Sequence, residues 1–151
     1  MKMSRTIFSL LLAGSLLFAA CDNDMDEQMY TTSGNASGSQ HNPPVTTTAT
    51  GTLNGTYNAS TNVWQYTITW SGLSSAATIV EVRGPATIGV NGNLLFTLNI
   101  TAPGVNGSAS GSVTLSEQQE ASLLADQLYY SVVSTAHVTG EIRGQILAEE
   151  E

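Results

Sequence analysis

The stretch Trp64-Gln65-Tyr66-Thr67-Ile68-Thr69-Trp70 alternates large apolar side chains with amide and hydroxyl side chains. Successive Cβ atoms of a strand point to opposite faces, so this period of two places Trp64, Tyr66, Ile68 and Trp70 on one sheet face. With Ile68 between them, the two indoles are read as core rather than as a platform for a ligand. Leu94, Phe96, Leu98 and Ile100 repeat the pattern with Thr97 and Asn99 in between. Weaker strands are expected over Thr46 to Tyr57, Ala77 to Arg83, Ser108 to Val113, Leu128 to Ser134 and Glu141 to Leu147. Turn chemistry separates them at Asn54-Gly55, Ser71-Gly72, Asn91-Gly92, Pro103-Gly104, Asn106-Gly107 and Thr139-Gly140. Only Ser116 to Leu124 reads as helix, with Ser116 as cap and Glu117 to Glu120 suited to a first turn. Short strands with close turn signals and one short helix predict an all-β domain, an antiparallel β-sandwich over residues 43–147, with an up-and-down barrel as the competing closure.

The chain before this domain has a different texture. Lys2 and Arg5 are followed by Ile7 to Ala20, almost wholly apolar but shorter than the roughly 18 residues that a spanning helix needs. This is the layout of a signal peptide, residues 1–20. Leu17-Phe18-Ala19-Ala20-Cys21 resembles the bacterial lipobox, which predicts Cys21 as the acylated first residue of a lipoprotein. It departs from the usual pattern in having Phe18, not leucine, three residues before the cysteine. An ordinary secretory leader followed by a structural thiol is the alternative. Cys21 is the only cysteine, so no internal disulfide is available. Asp22, Asp24, Asp26 and Glu27 follow it, then a Ser/Thr/Gly/Asn-rich stretch. Residues 21–42 are therefore expected to be an acidic and polar flexible tether, and 148–151 an acidic tail. The acidic run is either a solvated linker or a signal for export to the outer surface of the outer membrane, which it resembles.

Charge excludes several functions. The sequence has 4 Lys and Arg against 12 Asp and Glu, and 11% charged residues where about a quarter is ordinary. Removal of residues 1–20 would leave Arg83 and Arg143 as the only basic side chains. Two arginines cannot neutralise a run of phosphates, which excludes nucleic acid as a partner. No lysine remains for a phosphate loop or a Schiff base. Serines are plentiful, but no Gly-x-Ser-x-Gly occurs, and Gly107-Ser108-Ala109-Ser110-Gly111 has alanine at its centre. His41, expected in the tether, and His137, expected in a turn, are too far apart in sequence to suggest a metal cluster. No catalytic residue, cofactor or metal is expected.

Two segments echo each other, Glu81-Val82-Arg83-Gly84 and Glu141-Ile142-Arg143-Gly144. If their strands pair antiparallel in matching register, Glu81 faces Arg143 and Glu141 faces Arg83, making two cross-strand ion pairs. The alternative is a pair of unrelated strands with local charge balance, since such pairs add only about 0.2 to 1 kcal/mol.

The run from Leu128 to Ile146, with Leu128-Tyr129 and the hexapeptide Gly140-Glu141-Ile142-Arg143-Gly144-Gln145, resembles the closing motif of the CHRD (chordin) domain family. Pro43-Pro44-Val45, Ala49-Thr50-Gly51, the Trp64 to Leu73 strand and Gly84-Pro85-Ala86 occur in that family's order, so the likeness covers nearly all of 43–147. It implies an all-β extracellular module, an immunoglobulin-like or superoxide-dismutase-like Greek key, without established catalysis and often lipid-anchored in bacteria. Family members commonly carry His-x-His before Gly-Pro-Ala and a histidine in the late strand. Those positions hold Glu81, Arg83 and Val133 here, and a guanidinium cannot ligate a metal. The expected protein is thus not an enzyme. It is a cell-envelope lipoprotein held to the membrane by lipid on Cys21, in the outer membrane or on its surface, with a binding or structural domain whose ligand is a carbohydrate or a protein. An edge-strand adhesion or assembly module and a degenerate relative of metal-binding oxidoreductase sandwiches are the alternatives.

Overall fold

The structure, a computed structural model, describes residues 27–151. Nine strands and one helix follow in the order β1 Met29–Ser37, β2 Thr50–Asn58, β3 Val63–Ser71, β4 Ala77–Gly84, β5 Asn93–Leu98, β6 Ile100–Ala102, β7 Gly107–Thr114, α1 Glu117–Leu124, β8 Leu128–Ser134 and β9 Ile142–Glu150. They form one antiparallel sheet in the order β5-β4-β8-β9-β1-β2-β3-β7-β6. The strand expected from Leu94 to Ile100 is split at Asn99: its first half pairs with β4 and its second with β7. One short segment thus borders both ends of the sheet, which curls over and nearly closes into a sandwich. The Asn99 amide donates to Tyr66 Oη at 3.2 Å across this seam.

The alternation in β3 works as its sequence predicts. Trp64 and Ile68 are fully buried and Tyr66 and Trp70 nearly so, while Gln65, Thr67 and Thr69 are exposed. They join Leu53, Tyr57, Val80, Val82, Leu128, Tyr130, Val132, Ile142 and Ile146 in one core. The buried indole of Trp64 donates to Thr32 Oγ1 at 2.9 Å, so its polar edge is satisfied inside the core. Helix α1 begins with a capping box, in which Ser116 Oγ accepts from the Gln119 amide and the Gln119 side chain accepts from the Ser116 amide.

The tether expected over 21–42 is corrected by β1. This strand lies in the middle of the sheet, paired with β2 from Met29↔Asn58 to Ser37↔Thr50 and with β9 on its other side. The domain therefore begins before residue 43, and β9 carries the expected tail into the sheet as far as Glu150. Small inward side chains explain why a polar segment is a central strand. Thr32 and Ala36 are buried, and a Cβ on Gly34 would collide with the Gln145 carbonyl oxygen. The leader 1–20 and Cys21 lie outside the described residues.

Candidate functional site

Every residue of β8 is buried, although its side chains alternate between two faces. Leu128, Tyr130 and Val132 point into the apolar core; Tyr129, Ser131 and Val133 point the other way. On that second face the register aligns Glu81 of β4 with Ser131, and Ser131 with Arg143 of β9. The next row aligns Arg83, Tyr129 and Gln145. A polar layer therefore lies where an ordinary sandwich meets solvent. Loops cover it: Gln145 Nε2 donates to the Ala86 and Asp126 carbonyls, and Asn42 and Asn91 tie the loops at 38–49 and 85–92 together.

The charges of this layer are distributed unevenly. Arg83 Nε donates to Glu81 Oε2 at 2.7 Å within β4. That bond to the carboxylate is the main reason the guanidinium pKa is raised, against the opposing effect of burial. Arg143 is 2% exposed and has no carboxylate partner among the described residues. Its Cζ lies 3.5 Å from the centroid of the Tyr129 ring, and it donates to the Thr87 carbonyl at 3.2 Å and, at 3.5 Å, to Asn91 Oδ1. Burial lowers its pKa. Next to it in register, the buried Ser131 hydroxyl has no hydrogen-bond partner among the described residues.

Glu141 is fully buried yet stays apart from both arginines. Its Oε1 accepts from Thr47 Oγ1, the Ser74 amide and Ser74 Oγ, and its Oε2 from Ser134 Oγ at 2.6 Å. Burial pushes the carboxyl pKa up, but the bonds from Ser134, Ser74 and Thr47 outweigh it and hold the group below the usual carboxylate range. These bonds fix the loops at residues 47 and 74 and the β8–β9 turn to one another.

The expected pairs Glu81–Arg143 and Glu141–Arg83 do not form. Strand β8 lies between β4 and β9, so the two Glu-x-Arg segments are never neighbours. Glu81 instead pairs along its own strand, Glu141 is satisfied by hydroxyls and an amide, and Arg143 stacks on an aromatic ring.

A cleft of about 530 Å³ opens over this layer, lined by both arginines, Tyr129, Ser131, His41 and Asn91 among others. His41, expected in a tether, is held against its wall with Nε2 3.0 Å from the Thr139 carbonyl oxygen and Nδ1 3.2 Å from that of Pro43. Gly140 makes the close approach possible: its φ is +115°, and a Cβ there would collide with both His41 Nε2 and Ser131 Oγ. Sequence reasoning missed the cleft because its loop residues come from three separate places in the chain, at 41–43, 91 and 138–139. The one available signal was an echoing Glu-x-Arg in which only one arginine had to be paired.

The positions where the family likeness implies histidines, Glu81, Arg83 and Val133, share this face. The fold and its loop-covered polar layer define an all-β, antiparallel β-sandwich domain with one short helix. The chain belongs to the CHRD domain family, whose model matches residues 32–146. That span includes most of β1, in agreement with the corrected boundary. No curated protein matches the chain, and no solved structure matches it.

Proposed function

We propose that this protein is a non-catalytic binding module of the bacterial cell envelope, a lipoprotein anchored through Cys21. Membership of the CHRD family supports the module reading. The observation that carries binding over a purely structural role is the cleft, because a buried guanidinium and an unpartnered hydroxyl are costly to a scaffold that does not use them. Its chemistry supports the absence of catalysis. Among the described residues Ser131 has no base within hydrogen-bond distance, and both ring nitrogens of His41 already face carbonyl oxygens. The apolar leader with the cysteine behind it supports export and acylation. An adhesive role by strand addition has little backbone to use, since the outer strands β5 and β6 have six and three residues along one seam.

The test is intact mass analysis of the protein from membrane fractions, beside the Cys21→Ser variant. An acyl mass on Cys21 and release of the variant into the soluble fraction are expected. A soluble wild-type chain without acyl mass overturns the anchor.

A further inference from the structure

We propose that the cleft above Arg143 binds a small carboxylate of monosaccharide size. This deepens the module reading and is independent of the anchor, so acyl analysis and ligand titration fail separately. Three observations converge. First, Arg143 is a cation on the cleft floor without a counter-ion among the described residues, although removing a charge from water costs several kcal/mol unless something compensates it. Tyr129 supplies part of the compensation through its ring face, typically about 0.5 to 2 kcal/mol, and hydrogen bonds to the Thr87 carbonyl at 3.2 Å and Asn91 Oδ1 at 3.5 Å supply more, but all of these partners are neutral and none cancels the charge.

Second, the hydroxyl of Ser131 is buried in the same lining without a partner among the described residues. Its O–H is available to an acceptor that also meets the guanidinium, which is the requirement of a two-oxygen anion. Third, the charge balance selects the kind of anion. Arg83 is offset by Glu81, so the layer carries one uncompensated positive charge from Arg143, His41 apart. A carboxylate monoanion neutralises it, whereas a phosphate dianion leaves a negative charge in excess beside Glu81. A volume of about 530 Å³ lies within the range that small-molecule sites occupy.

The full chain, purified in neutral detergent, is titrated with sodium glucuronate, glucose and inorganic phosphate while the arginine Nε–H signals are followed by NMR. Glucuronate is expected to shift the Arg143 signal saturably, with glucose silent and phosphate weaker. Arg143→Gln is expected to weaken glucuronate binding about tenfold or more, the worth of a hydrogen bond to a charged group. Ser131→Ala removes a hydroxyl that has no partner, so it keeps the fold, and a severalfold loss is expected; it carries the test if Arg143→Gln fails to fold. Absence of saturation by about 10 mM overturns the proposal, as does an equal response to glucose or a response unchanged by Ser131→Ala. Phosphate binding as tight as glucuronate overturns the carboxylate assignment.

Discussion

Arg143 rests on the face of the Tyr129 ring, its Cζ 3.5 Å from the ring centroid, and no carboxylate among the described residues reaches it. The pair is adjacent in the sheet, since Tyr129 is opposite Gln145 and Ser131 opposite Arg143. A cation kept this way contributes little to folding. Arg143→Met removes the desolvation cost and retains most of the packing, so stability is expected to stay within about 1 kcal/mol of wild type or to rise. Urea unfolding measures it, and a loss of several kcal/mol would show that the guanidinium is structural.

Glu141 behaves in the opposite way. Its carboxylate is required by four donors, and Glu141→Ala is expected to cost roughly 3 kcal/mol by leaving them unpaired. Its pKa is held low in the folded protein, so the unfolded chain takes up the proton more readily. The stabilisation is complete above the ordinary glutamate range, near 4.3, and is lost as pH falls through the lower folded value. Chemical denaturation across acid pH is expected to show this limb in wild type and a flatter one in Glu141→Gln.

Gly140→Ala combines a left-handed backbone with a collision on both sides, at His41 and Ser131. A loss of about 2 kcal/mol is expected from the backbone strain together with the displaced loop. Thermal unfolding measures it, and amide shifts confined to residues 38–43 and 131–143 would locate the disturbance at the cleft.

Thr32→Val tests β1 directly. It leaves the buried Trp64 indole N–H without an acceptor, which costs about 1 to 3 kcal/mol. Fluorescence-detected denaturation is the measurement. A neutral result would mean that this segment is peripheral.

The fold was legible where side-chain size alternates strongly. Trp64 to Trp70 marked its strand and its buried face, and Ser116 with Gln119 marked the helix start through their capping chemistry. Strand β1 was not legible because Thr32, Gly34 and Ala36 are inward residues chosen for small size, and small polar residues resemble a linker when no partner strand is in view. The chemistry of Glu81 and Arg143 was misassigned for a related reason. Periodicity shows which face a residue takes, but not that β8 separates the two strands. The cleft depends on loop contacts between distant segments, such as Asn42 with Asn91, which leave no local pattern.

The central position of β1 also orients the molecule. Glu151 donates its amide to the Met29 carbonyl, so the first and last described strands enter and leave at one pole. Arg143 is opposite Ser37 at the other end of β1, eight residues from Met29 and about 27 Å away at the rise of a strand. Arg143 and the cleft above it therefore lie at the pole opposite the two ends of the described chain. A label fused after Glu151 would sit beside Met29 and leave the opposite pole, with the cleft, open to whatever diffuses past.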